Sequence, residues 1–117
     1  MNQLDLLNAV TEKSSLPQIQ EYIKTVLDLR GFSDDSVQET MLLLLEEVGE
    51  LAKAVRKTST YMSVDVNQMQ NYSTVESEVA DVFVVLTAVC NKLNINLFNA
   101  LKEKEAANCT RKWTFER

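Results

Sequence analysis

The chain has 117 residues, a formal net charge of -5, no histidine, two cysteines, two glycines and one proline, and 45% of it is hydrophobic. That length suits one domain, residues 1–117, with a small core, and the scarcity of Gly and Pro points to long helices rather than disorder. The acidic balance argues against an extended nucleic-acid footprint. No apolar run reaches the roughly 18 to 20 residues of a membrane span, and the start Met1-Asn2-Gln3-Leu4-Asp5 lacks the basic residues of a secretory signal, so a cytoplasmic location without membrane partners is expected.

Five helical segments are predicted. The first runs from about Gln3 to Glu12, where Leu4, Leu7 and Val10 share a stripe. Ser15 precedes Leu16-Pro17, with the proline in the first turn where its missing N–H costs nothing. Ile19, Tyr22, Ile23, Val26 and Leu27 then recur at helical spacing up to Gly31, which reads as a stop. Ser36 with Glu39 forms a capping box opening a third helix to about Lys57, and Ser73 with Glu76 does the same for a fourth to about Leu93. Asn94 suits a left-handed helix end, and Asn96 caps a fifth helix to about Lys112. The polar stretch Ser59 to Tyr72 has no clear period and reads as a loop. With no repeat and no strand-like alternation, the class is all-α: an antiparallel bundle of about four to five helices. Cys90 and Cys109 are too far apart for a zinc knuckle, and the lack of histidine removes the commonest nitrogen ligand and general base.

Two acid pairs at the same spacing interrupt the apolar runs of the third and fourth helices: Glu47 with Glu50, and Glu78 with Asp81. Residues three apart on a helix lie over one surface patch. If the two patches face each other, four carboxylates gather in a half-buried place, and a divalent cation with a preference for oxygen ligands relieves their repulsion. On a helical wheel the third helix presents Met41, Leu44, Leu45, Val48, Leu51, Ala52 and Val55 as one broad face, with Glu47 at its border. Glu46 projects on the most polar side with Lys53 and Lys57 and is a weaker ligand candidate. In the fourth helix Glu78 points between the directions of Val85 and Val89. Val84 and Ala88 make the opposite side apolar too, so this helix needs covering nearly all round, which a chain this small achieves most easily by oligomerising.

A single E-x-x-E is most often a solvated edge or a weak surface ion pair to residues such as Lys53, Arg56 or Lys57. Two pairs shift that balance, because the only cation close in sequence to Glu78 and Asp81 is Lys92, at the far end of the run. Helical bundles that hold two irons use Glu-x-x-His pairs. Without histidine, an all-oxygen site suits magnesium, with manganese as a substitute.

Glu46-Glu47-Val48-Gly49-Glu50-Leu51 followed by Glu78-Val79-Ala80-Asp81-Val82 resembles the E-x-x-E and E-x-x-D signature of MazG-like nucleotide pyrophosphohydrolases. Lys104-x-x-x-Asn108-x-x-Arg111-Lys112-Trp113 is similar to that family's closing motif, so the likeness spans about Thr40 to Trp113. The resemblance implies an all-α core assembled as a homodimer or homotetramer. It also implies magnesium-dependent cleavage of nucleoside or deoxynucleoside triphosphates to monophosphate and pyrophosphate, in the manner of an enzyme that cleanses nucleotide pools. Carried onto this chain, Glu47, Glu50, Glu78 and Asp81 are the metal ligands and catalytic carboxylates. Lys104, Asn108 and Arg111 contact phosphates or sugar, and Lys53 is a further substrate-binding candidate.

Phosphoanhydride hydrolysis asks chiefly for positioned metal ions and an activated water, so the lack of histidine is no obstacle. Any of the four carboxylates, or Glu46, could accept the water's proton. Two alternatives stay open: hydrolysis of phosphoribosyl-ATP, and a non-catalytic helical interaction module whose acids hold a structural cation or a basic partner. Of the rings Tyr22, Phe32, Tyr61, Tyr72, Phe83, Phe98, Trp113 and Phe115, most are expected in the core. Tyr61, Met62, Asn67 and Gln68 in the long loop are candidates for touching a base.

Overall fold

The computed structural model describes residues 2–59, 61–63, 65 and 74–116. Over these the chain is all helical: α1 Gln3–Asn8, α2 Leu16–Leu29, α3 Val37–Ser59, α4 Val75–Lys92 and α5 Leu97–Thr110. α1 is shorter than its apolar stripe suggests. The Ser14 hydroxyl accepts from the Thr11 N–H and the Thr11 hydroxyl from the Lys13 N–H, so local side chains capture the backbone donors that another helical turn would need. The Arg30 guanidinium donates to the Gln3 side chain and ties α1 to α2.

The helix ends follow the chemistry of their caps. Ser15 and Gln18 form a capping box at the start of α2, and Ser36 and Glu39 form another at the start of α3. α2 closes with Gly31 at φ 92°, the Phe32 N–H donating to the Leu27 carbonyl and the Gly31 N–H to the Asp28 carbonyl. α4 closes the same way on Asn94 at φ 56°, with bonds from Ile95 to Cys90 and from Asn94 to Asn91. Asn96 caps α5 as expected, but the helix stops at Thr110, where Arg111 is already extended. α4 is capped by Thr74, whose hydroxyl accepts from the Ser77 N–H, rather than by Ser73, which lies outside the described residues. Thr74 is one residue nearer the apolar run and can bond the third amide of the helix at its actual start.

α3 and α4 pack antiparallel: Thr40 and Leu43 share a cavity wall with Ala88 and Lys92, whereas Glu47 meets Glu78 and Asp81. α2 lies against α4, and α1 and α5 each pack on α2. A buried polar cluster joins three of these elements. The Gln20 side chain donates to the Asn91 side chain at 2.9 Å and to the Ile95 carbonyl, and it accepts from the Leu97 N–H at 3.0 Å. Asn91 donates back to the Gln20 carbonyl. α5 therefore starts at a point fixed by α2 and the end of α4, and leaves α4 at 96°. No single helix among the described residues is long and apolar enough to cross a membrane.

The core is small, built from Ile23, Val26, Ala54, Val85, Ala88, Val89 and Cys90, with Thr87 fully buried among them. One expectation fails here. None of the described aromatic rings is buried; Phe32, Phe83, Phe98 and Trp113 are all 37% exposed or more. Of the broad apolar face of α3, Met41, Leu45, Val48 and Val55 are open and Leu44 and Leu51 half-buried, while the side toward α4 carries Thr40, Leu43, Glu47 and Ala54. Val79, Phe83 and Leu86 of α4 are likewise exposed. Both cysteines are free thiols, with Cys90 buried and Cys109 exposed.

Candidate active site

The antiparallel pairing of α3 and α4 sets the middle of the first beside the opening turns of the second. Glu47, Glu78 and Asp81 each offer a carboxylate oxygen, and the three lie within 4.8 Å of one another. Their exposures differ: Glu78 is buried at 5%, Glu47 is half-buried and Asp81 is exposed. Glu78 points, as the wheel predicts, to the side of α4 that also buries Val85 and Val89. Among the described residues its Oε2 is buried without a hydrogen-bond partner. A carboxylate oxygen taken out of water and left unpaired is costly, and a cation is the partner that best removes the cost.

The neighbours act on Glu47. Burial first, then the charges of Asp81, Glu78, Glu50 and Glu46, push its carboxyl above the usual range, since each disfavours adding one more negative charge. Glu50 is thus near enough to be felt, but it is exposed and stands outside the group of three. The donor set is three carboxylates on rigid helices, with a fourth one turn on. That is hard oxygen chemistry suited to magnesium or manganese, and the unpartnered Glu78 oxygen fits a cation held there.

Glu47 also lines a cavity of about 370 Å³ between α2, α3 and α4. Its walls are apolar at Leu27, Phe32, Leu43, Val85 and Ala88 and polar at Lys24, Asp28, Asn91 and Lys92. The volume falls within the range of small-molecule pockets, about 300 to 1,000 Å³. One end is shaped by Lys92, whose ammonium donates to the carbonyls of Phe32, Ser33 and Asp35 at 3.2, 3.4 and 2.7 Å. These bonds hold the α2–α3 connection, and with it the Phe32 ring, against the end of α4.

Other candidate residues are scattered. Lys53 is half-buried on α3, about 120° round the helix from Glu47. Lys104, Asn108 and Arg111 belong to α5 and its end, away from the α3–α4 pair. The Asn108 side chain donates to Glu105, its carbonyl accepts from the Trp113 indole, and the Arg111 guanidinium lies 4.1 Å from the centre of the Trp113 ring. Tyr61 and Met62 are exposed, while Asn67, Gln68 and Tyr72 lie outside the described residues. Reading the sequence missed Lys24, Asp28 and Asn91 as pocket residues. The available signal was a lone amide, Asn91, inside the apolar run of α4, matched by Gln20 on the buried side of α2.

Over the described residues the chain is all helical, with three carboxylates gathered beside a cavity of about 370 Å³. Residues 35–111, well over half of the chain, match the family model described as the MazG nucleotide pyrophosphohydrolase domain, and the chain belongs to that family. Members of it are generally metal-dependent and act on nucleoside triphosphates. No curated protein and no solved structure matches the chain.

Proposed function

We propose that this protein is a magnesium-dependent pyrophosphohydrolase that cleaves nucleoside or deoxynucleoside triphosphates to the monophosphate and pyrophosphate. The observation carrying this reading is the buried, unpartnered Glu78 oxygen within 4.8 Å of carboxylates from Glu47 and Asp81, at the edge of a cavity that Glu47 shares. Glu47, Glu78 and Asp81 would hold the cation, with Glu50 as a fourth carboxylate from one turn further along α3. A Mg²⁺ held there, or Mn²⁺ in its place, would neutralise phosphate charge and make a water more acidic for attack.

The protein's own groups do the positioning. Phe32, Leu43 and Val85 form the apolar slot for the base, and Lys24, Asp28 and Asn91 offer polar groups along its edge. The acids at the open end keep the triphosphate, which is itself anionic, from binding unless cations accompany it, so substrate and metal enter as a unit. A role in clearing unwanted nucleotides fits this chemistry, and a homodimer or homotetramer fits the open apolar faces of α3 and α4.

The test is pyrophosphate release from a panel of canonical and modified triphosphates, with phosphoribosyl-ATP included, in magnesium and in EDTA. Wild type is expected to release pyrophosphate only with the metal, and Glu50→Gln and Asp81→Asn to lose most of that turnover. Equal rates in wild type and both variants would remove the assignment. Silence on every nucleotide with every metal would favour an interaction module.

A further inference from the structure

The cavity has a polar joint at the end away from the acids. Val85, Ala88 and Asn91 line it on successive turns of α4, leading away from Asp81. Asn91 stands ten residues beyond Asp81, about 15 Å along the helix at 1.5 Å per residue. A nucleotide whose phosphates lie at the acids can therefore extend its base toward Asn91.

The Asn91 amide is held in one orientation. The Leu97 N–H donates to Gln20 Oε1 at 3.0 Å, and Gln20 Nε2 donates to the Ile95 carbonyl, so two backbone groups of the α4–α5 connection fix which end of the Gln20 amide is oxygen and which is nitrogen. Gln20 then fixes Asn91. Its Nε2 donates to Asn91 Oδ1 at 2.9 Å, and its backbone carbonyl accepts from Asn91 Nδ2 at 3.2 Å. These bonds use one of the two N–H groups of Asn91 and one of the two lone pairs on its oxygen. The second N–H and the second lone pair remain, side by side and in a set order, on a half-buried residue that lines the cavity. The walls near it are apolar at Leu27, Phe32, Leu43 and Val85. A ring placed between such walls gives up its water, and the polar groups on its edge need protein partners. Lys24 and Asp28 are exposed at the rim, where water competes for them.

Resting on the function proposed above, we propose that Asn91 is the residue that reads the base. Its remaining N–H and oxygen pair edge-on with an acceptor and a donor that adjoin on the nucleobase, and Gln20 is the positioning residue that sets their order. The ligand class is a heterocyclic base with a donor and an acceptor side by side, such as the amino group and neighbouring ring nitrogen of cytosine or adenine. A ring that lacks one member of the pair leaves half of the Asn91 edge unsatisfied in an apolar slot, which is a stronger ground for rejection than a misfit of shape.

Matched substrates test this. Pyrophosphate release with Mg²⁺ is compared between the ordinary triphosphate that turns over fastest and the same compound without the exocyclic group at the pairing edge: pyrimidin-2-one in place of cytosine or uracil, purine in place of adenine, 2-aminopurine in place of guanine. Wild type is expected to favour the complete base at least tenfold in kcat/KM. In Asn91→Leu, which keeps the size and deletes both polar ends, that ratio should fall to about one, through a rise in KM for the complete base. Asn91→Asp keeps the oxygen that Gln20 binds and replaces the N–H groups by a second acceptor; it should narrow the ratio too, and it decides the matter if Asn91→Leu fails to fold. Gln20→Glu keeps the acceptor for Leu97 and deletes the donor to Asn91, so it should raise KM for the complete base more than for the trimmed one. A loss shared equally by the two substrates would overturn the positioning role. A wild-type ratio near one, or a ratio that survives in the Asn91 variants, overturns the reading. The same pairs titrated as free nucleosides by calorimetry, without metal, ask the question apart from catalysis. A wild type that releases no pyrophosphate but binds the complete nucleoside in preference, with the preference lost in Asn91→Leu, counts against the proposed function and supports the base reader. An active wild type with equal rates on both members, or a silent one that binds both nucleosides equally, overturns the base reader.

Discussion

Replacing Glu78 by Gln should stabilise the metal-free fold while abolishing turnover, and the opposite signs follow from one arrangement of charges. Two unit charges at 4.8 Å, the outer limit of the spacing within this trio, repel by about 1 kcal/mol in a water-like surrounding and about 3.5 kcal/mol at an effective dielectric near 20. Glu78 has two such neighbours, Glu47 half-buried and Asp81 exposed, so solvent screens the second pair more than the first. Removing its charge therefore relieves about 2 to 3 kcal/mol, and the amide of the substituted glutamine could donate to the carboxylates that Glu78 can only oppose. For a chain this long that corresponds to a rise in Tm of roughly 6 to 15 °C in EDTA. The assay is thermal unfolding at one fixed protein concentration, since association also moves Tm. Wild type should gain about 2.7 kcal/mol at Mg²⁺ a hundred times its dissociation constant, and Glu78→Gln should gain little. If Glu78→Gln melts below wild type in EDTA, Glu78 has a partner in the metal-free protein and the reasoning from crowded charge is wrong.

Lys92→Met removes three bonds from an ammonium to the carbonyls of Phe32, Ser33 and Asp35. It should cost about 2 kcal/mol in urea unfolding and raise KM more than it lowers kcat, because the pocket wall loosens while the acids stay in place. Gln20→Ala strands the Leu97 N–H, the Ile95 carbonyl and the Asn91 side chain together, and is expected to lower stability by about 2 to 4 kcal/mol, with the α5 amides losing hydrogen-exchange protection first. Ser36→Ala should cost about 1 kcal/mol through loss of the α3 cap. The same cap carries a pH signature. Bonds from Ser36, its backbone N–H foremost, hold the Glu39 carboxyl below its ordinary value, so the stability it adds is complete above that value and is lost as pH falls through the lowered one. Glu39→Gln removes the titrating group on which these bonds act, so unfolding measured from pH 7 downward should show Glu39→Gln losing less with acid than wild type does.

Most of the local structure was legible along the chain, because caps and stops are short-range chemistry. The Ser15, Ser36, Gly31, Asn94 and Asn96 signals each mark a real boundary, since each depends on residues within one turn. The misreadings were of the same short-range kind: Thr11 and Ser14 ended α1 early, and Thr74 capped α4 in place of Ser73. The orientation of Glu78 into the buried side of α4 could be read from angular spacing, which a rigid helix preserves.

Which apolar face of α3 packs inside the subunit could not be read this way. Met41, Leu45 and Val48 form the more hydrophobic stripe, yet the side containing Thr40, Glu47 and Ala54 faces α4. A hydrophobic stripe records that a face is to be covered, and it is silent on whether the cover is the same chain or another.

The linear order of residues determined that the chain is helical, where its helices start and stop, and that two carboxylate pairs ride on two of them. Bringing Glu47, Glu78 and Asp81 within 4.8 Å, leaving one Glu78 oxygen unpaired, and building the cavity from Lys24, Phe32 and Asn91 were decided by how α2, α3 and α4 cross. Helical periodicity is a property of neighbours in sequence. The distance between two helices depends on packing across residues more than twenty positions apart, and nothing within a single turn encodes that.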